Sequence, residues 1–138
     1  MRQDAVVLDF RTSGRDLLEI TGDVRRWVAE TGIGTGVLTL FCQHTSASLL
    51  INENAASAVR HDLLRWLDRI APEHAGYAHD DEGPDDMPAH IKALLTGNSL
   101  TIPVAQGQPM LGTWQGIYLA EHRARPHRRS IALHVIGE

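Results

Sequence analysis

The chain has 138 residues, 43% hydrophobic and 22% charged, with a formal net charge of −4. That length predicts one domain over 1–138 with room for a real core, and the negative balance gives a nucleic-acid partner no footing. A single cysteine, Cys42, excludes an internal disulfide framework, and no apolar run of about 18 residues exists to cross a membrane, so a soluble cytoplasmic protein is expected.

Ala5 to Phe10 reads as a first strand, and Asp16 to Ile20 as a short extended piece. Thr21 is placed to cap a helix running to about Glu30, with Asp23 in its first turn and Gly32 beyond its end. Gly36 to His44 is rich in β-formers; regular alternation puts Leu38, Leu40, Cys42 and His44 on one face. Ala47 to Ile51 reads as a further apolar strand. Asn52 or Asn54 is then placed to cap a helix over about 55–69, whose Val59, Leu63, Trp66 and Ile70 form a stripe.

Residues 71–86 read as a long acidic loop. A short helix over roughly 86–95 ends before Gly97. Strands then follow closely: Ser99 to Val104, Thr113 to His122, and Ser130 to Ile136, the last alternating Ile131, Leu133 and Val135. Pro103 puts its strand near a sheet edge. Strands with inserted helices, then a run of strands, predict an α+β fold: a large mixed, mostly antiparallel sheet or sandwich with two or three short helices. No glycine-rich phosphate loop follows any strand, so no nucleotide cofactor is expected.

Two charged runs stand out. HDDEGPDD, residues 79–86, carries five acids, and HRARPHRR, residues 122–129, carries four arginines. Solvated loop ends explain both; arginines are also the side chains best shaped for phosphate.

The stretch FCQHTSASLLINENA, from Phe41 to Ala55, interrupts apolar strand sequence with His44, Thr45 and Ser46. An imidazole can move protons or bind a metal, and the two hydroxyls can donate to phosphate. A strand end whose hydroxyls satisfy turn backbone is the plainer explanation on spacing alone. His79 and His90 flank the acidic loop; folded back onto His44, they supply three imidazoles suited to zinc. Surface histidines are the plainer alternative. In GTWQGIYLAEH, alternation places Gln115 and Glu121 on one strand face, able to bracket a half-buried site. Ser57, His61 and Asp62 lie on a helix without a nucleophile elbow, which excludes a hydrolase triad. Cys42 reads as a core thiol.

Taken together, FCQHTSASLLINENA, the segment AHIKALLTGNSLTIPVAQGQPMLGTWQGIYLAEHR and the basic last strand resemble the YjbQ family, also described as secondary thiamine-phosphate synthases. The resemblance runs from about Phe10 to Gly137. It implies an α+β fold, a homotrimer, and a polar pocket at the matching positions His44, Thr45, Ser46, Glu53, His79, His90, Gly97, Ser99, Gly112, Trp114, Gln115 and Glu121. His44, Glu53, Gln115 and Glu121 are the implied catalytic groups. Thr45, Ser46, Ser99, Trp114, Arg125 and Arg128 are the implied substrate contacts. His44, His79 and His90 are the candidate ligands of a divalent metal, zinc or magnesium. The run HRARPHRR departs from the family's usual turn, so the family's arginine falls on Arg125 or Arg128.

The implied activity joins a hydroxymethylpyrimidine diphosphate to a thiazole phosphate and releases pyrophosphate, weakly. The three-histidine set points instead to a metal-dependent hydrolase or lyase acting on an unknown small metabolite, phosphorylated or not. The lack of any self-sufficient catalytic motif points to a non-catalytic ligand-binding trimer.

Overall fold

The computed structural model describes residues 1–138. In chain order the elements are β1 (Arg2–Arg11), β2 (Asp16–Glu19), α1 (Thr21–Thr31), β3 (Gly36–Cys42), β4 (Ala47–Glu53), α2 (Ser57–Ile70), α3 (Asp86–Thr96), β5 (Ser99–Ala105), β6 (Gln108–Pro109), β7 (Gln115–Glu121) and β8 (Arg128–Gly137). They form a five-stranded sheet, β1-β8-β3-β5-β6, and a three-stranded sheet, β2-β7-β4. Every strand pair is antiparallel, so the expected mixed sheet resolves into two sheets with no parallel pairing. Pro103 pairs with Val37 on one side and has only the two-residue β6 beyond it, as a strand near an edge requires.

The core lies between the sheets. Leu38, Leu40 and Cys42 of β3 and Ile131, Leu133 and Val135 of β8 alternate inward and meet Leu49 of β4 with Ile117 and Leu119 of β7. Val24 and Val28 of α1 close this core. Each such aliphatic side chain contributes about 1.5–3 kcal/mol by leaving water. On the other face of the small sheet, Leu17, Tyr118 and Ala120 pack against Leu50 and against Leu63 and Leu64 of α2.

Three local expectations are corrected. Thr21 is not a cap: Ile20 holds that position, and the Thr21 hydroxyl donates to Glu19 while accepting the Ile117 backbone N–H. Satisfying a buried sheet amide outweighs capping a helix end. Neither Asn52 nor Asn54 caps α2; Glu53 Oε2 accepts the Ala55 and Ala56 amides, and Asn54 Nδ2 donates to Glu19. The α2 stripe is rotated from the expected one: Leu67 is its buried residue, while Trp66 and Ile70 are exposed.

Candidate functional site

Asp86 and His90 stand one turn apart on α3, so their side chains stack on one face. The acidic loop before α3 folds His79 onto the same carboxylate. His79 Nε2 lies 2.6 Å and His90 Nε2 3.1 Å from Asp86 Oδ2, with the rings 5.7 Å apart. The three candidate ligand atoms lie within 4.8 Å of one another.

The hydrogen-bond partners fix one tautomer. His90 Nδ1 is 2.9 Å from the Thr45 carbonyl oxygen, which can only accept, so Nδ1 carries the proton. A neutral His90 therefore turns the lone pair of Nε2 toward a carboxylate oxygen. In that neutral state two acceptors face each other, an arrangement that either a second proton on His90 or a bound cation relieves. A ligand imidazole whose other N–H is held by a backbone carbonyl is the usual support of a metal-bound histidine.

Arg123 orients the carboxylates. It donates from Nη1 to Asp86 Oδ1 at 2.8 Å and from Nε to Asp85 Oδ2 at 2.9 Å, while Nη2 donates to the Glu82 carbonyl. Burial alone raises the Asp86 pKa. The His79 hydrogen bond, with the Arg123 charge, outweighs it and holds the carboxyl below its ordinary value. The same Asp86 contact raises His79, whose nitrogens also lie 3.5 Å from Asp81 and 3.3 Å from Glu82. His79 lines a 470 Å³ cleft with His74, Tyr77 and Asp80. His90 lines a 360 Å³ groove with His44, Thr45 and Leu94.

His44 is not in the cluster. It follows β3, which ends at Cys42, and its Nε2 accepts the Ser130 amide at 2.7 Å. Burial and the Arg129 charge lower its pKa, consistent with this neutral acceptor. The ligand atoms that converge are two imidazoles and a carboxylate rather than three imidazoles, and the Ser130 amide occupies His44 Nε2. Cys42 is a buried thiol whose pKa burial raises.

The β4–β7 ladder separates other expected groups. Glu53 pairs with Gln115 at one end and Ala47 with Glu121 at the other. Six residues of strand separate Gln115 from Glu121, about 20 Å, so within one chain they do not bracket a single hollow. Gln115 Oε1 accepts the Gly112 amide, and Trp114 is exposed. Glu121 is buried and accepts from Arg129, Thr12 and the Arg123 amide. Burial raises its pKa, but those bonds, Arg129 first, bring it below the ordinary value. Ser46 Oγ accepts from Arg129 Nη2. Ser99 is exposed at the start of β5, opposite Phe41. Arg128 pairs with Asp9 at 2.7 Å. Arg125 is exposed, and its carbonyl sits 2.8 Å from His127 Nδ1. Thr45 serves the cluster through its carbonyl rather than its hydroxyl.

Asp85, Asp86 and Arg123 were not among the candidate residues. The spacing of Asp86 and His90, four apart on a helix, is a readable signal for the pair. Nothing in the sequence announces that Arg123 reaches them.

The chain matches the family model described as UPF0047 protein YjbQ-like over residues 7–138. It is 45% identical over 138 residues to a UPF0047 protein of Synechocystis sp., covering 99% of this chain and 94% of that one. It is 42% identical over 137 residues to the UPF0047 protein YjbQ of Escherichia coli O157:H7, covering 99% and 98%. Among solved structures, an uncharacterized conserved protein of the same family from Clostridium acetobutylicum superposes with a TM-score of 0.88 at 38% identity, over 95% of this chain and 99% of that one. A YbjQ-like protein of unknown function from Sulfolobus solfataricus P2 gives 0.88 at 26% identity, over 99% and 100%. No helix is long and apolar enough to cross a membrane.

Proposed function

We propose that this chain, which belongs to the YjbQ-like UPF0047 family, is a metal-dependent hydrolase or lyase of a small metabolite, with His79, Asp86 and His90 as the ligands. One observation carries the reading: the Thr45 carbonyl holds the proton of His90 on Nδ1, so Nε2 offers its lone pair where His79 and Asp86 converge. Two nitrogens and one oxygen suit zinc or a similar transition ion better than magnesium, which favours oxygen ligands. When bound, the cation supplies Lewis-acid polarisation of a water or a substrate oxygen. The chain's own part is to present the ligands already oriented: Thr45 fixes one ring, and Arg123 fixes the carboxylate. Asp80, Asp81 and Glu82 add negative charge at the rim, which favours a cation and disfavours a free phosphate.

The thiamine-phosphate-synthase reading draws on the resemblance and on the arginine run. Of that run, Arg123, Arg128 and Arg129 are committed to carboxylates, leaving Arg125 to meet a phosphate. The homotrimer belongs to the same proposal; Val7, Val37 and Phe41, exposed on the outer face of the five-stranded sheet, support an apolar contact between copies. Light scattering that finds a monomer removes it.

The test is elemental analysis of untagged protein, then zinc titration and turnover of ester and phosphoester panels by wild type and Asp86→Asn. Near-stoichiometric zinc and turnover lost in the variant support the reading. Wild type that neither takes up a transition ion nor changes activity with chelator overturns it. Metal-independent pyrophosphate release from the pyrimidine diphosphate and thiazole phosphate, reduced in His44→Ala, installs the transferase instead.

A further inference from the structure

Glu121, His122 and Arg123 are consecutive, yet each enters a different network. Glu121 pairs with Arg129, Arg123 with Asp85 and Asp86, and His122 with Ser48 at the floor of a separate 170 Å³ cavity. Arg15, Leu64, Leu67, Asp68, Lys92 and Glu121 line the rest of it. The floor is buried, with His122 3% and Lys92 2% exposed. The rim is open, with the Asp68 side chain 50% and that of Arg15 35% exposed.

Hydrogen-bond direction settles where His122 carries a proton. The Thr96 hydroxyl donates to the Lys92 carbonyl, which can only accept, so its single proton is spent. In the Ser48–Thr96 contact the proton must then come from Ser48. With the Ser48 proton spent in turn, His122 Nε2, 2.8 Å away, must donate to Ser48. The chain runs one way: His122 to Ser48 to Thr96 to the Lys92 carbonyl. His122 therefore carries a proton on Nε2, and Nδ1 has no protein partner, so a neutral ring leaves a lone pair there. Burial, which drives the imidazole pKa down to about 4, agrees with that neutral state.

Lys92 is the complement. Its ammonium has three N–H and gives one to Asp68, at 2.6 Å. A lysine this buried is seldom left with a single acceptor. Glu121 is already neutralised by Arg129, and Arg15 by Glu73 at 3.3 Å, so the opening for an anion is the two N–H of Lys92 that Asp68 leaves free. The groups facing the interior thus ask for an anionic oxygen against Lys92 and a hydroxyl that donates to His122. An ammonium group in place of the hydroxyl would be repelled by Lys92. The volume admits a few water-sized groups, below the range of drug-sized pockets.

We propose that this cavity is a binding site for a small hydroxy-acid anion, its carboxylate on Lys92 and its hydroxyl donating to His122 Nδ1. The site is independent of the metal reading and stands if that reading falls.

Glycolate is the probe, with acetate as the analogue that lacks the hydroxyl. The imidazole nitrogen signals of His122 are followed by NMR in the full chain, with chelator present and again in Asp86→Asn, so that glycolate held by a metal is not counted. Saturable, millimolar glycolate binding, with acetate about tenfold weaker and unaltered binding in Asp86→Asn, is expected. Lys92→Met, provided its amide spectrum stays native, loses the glycolate shift. Asp68→Asn at the exposed rim removes a competing charge and tightens glycolate several-fold, which keeps the proposal testable if Lys92→Met does not fold. No saturable shift of His122 in wild type, equal affinity for acetate, or an unchanged glycolate shift in folded Lys92→Met overturns the proposal.

Discussion

Arg123 holds Asp86 by one carboxylate oxygen, Nη1 to Oδ1 at 2.8 Å, and so leaves the other oxygen to the two imidazoles. Strand β7 and helix α3 are thereby joined through the one residue on which the histidine cluster depends. Replacing Arg123 with Gln frees Asp86 to rotate. Zinc affinity is expected to fall about 10–100-fold, the usual cost of losing an outer partner of a metal ligand. A competition titration against a chromophoric chelator reads this directly; affinity within a factor of two of wild type would show that Arg123 serves only the loop.

His44 and His90 share a groove but not a role at the cluster. Zinc binding is expected to survive His44→Ala and to be lost in His90→Ala. Bound zinc at about 100 times its Kd stabilises the native chain by about 2.7 kcal/mol, so thermal shift with and without zinc separates the two variants. Zinc stabilisation lost in His44→Ala and kept in His90→Ala would place the metal elsewhere.

Acid should weaken the fold in two stages, with His122 titrating first. Its folded pKa lies at about 4, below the 6.5 of an unperturbed imidazole, because burial opposes charge and Lys92 and Arg129 add to it against Glu121. Below 6.5 the unfolded chain takes a proton that the folded one refuses, so stability falls between pH 6.5 and 4. The contribution is about 3 kcal/mol. Glu121 is also depressed, so its contribution is present above its ordinary value of 4.5 and is lost as pH falls through the lower folded value. Urea unfolding across pH 4–7 should show a shallower slope in His122→Gln than in wild type; parallel slopes contradict the assignment.

Breaking the buried Glu121–Arg129 pair leaves one charge without its partner. Glu121→Ala is expected to cost about 3–5 kcal/mol, the range for a severed buried pair. Chemical denaturation at neutral pH measures it. A cost below 1 kcal/mol would return Glu121 to the role of a functional rather than a structural carboxylate.

Gly36 and Gly137 sit opposite each other where β3 meets β8. A Cβ on Gly36 would lie 2.1 Å from the Ile136 carbonyl oxygen, far inside contact distance. Gly36→Ala is expected to cost on the order of 4 kcal/mol. Gly22 in α1 has nothing within 4 Å of its Cβ position, so Gly22→Ala should be neutral or slightly stabilising, by about 0.5 kcal/mol. Equal melting temperatures for the two variants would contradict the close approach.

Much of the fold was legible. Ile131, Leu133 and Val135 alternate in sequence and all three are buried, because a strand's side-chain period is a local property. The expected α2 stripe departs from the packed face because Val59, Leu63, Trp66 and Ile70 satisfy helical spacing as well as that face does. Only the sheet beneath chooses between faces, and it selects Leu63, Leu64 and Leu67. Caps failed for a related reason: Thr21 has a stronger claim on it from the Ile117 amide, a partner 96 residues away.

The sequence alone determined the strands, the helices, and the fact that imidazoles and acids flank one loop, since these depend on neighbours along the chain. Which groups meet was decided by tertiary structure: the loop returns His79 to α3, β7 delivers Arg123 to Asp86, and the end of β3 gives His44 to Ser130. Spacing cannot foresee those encounters, because each is settled by a contest for hydrogen-bond partners among residues 7 to 86 positions apart.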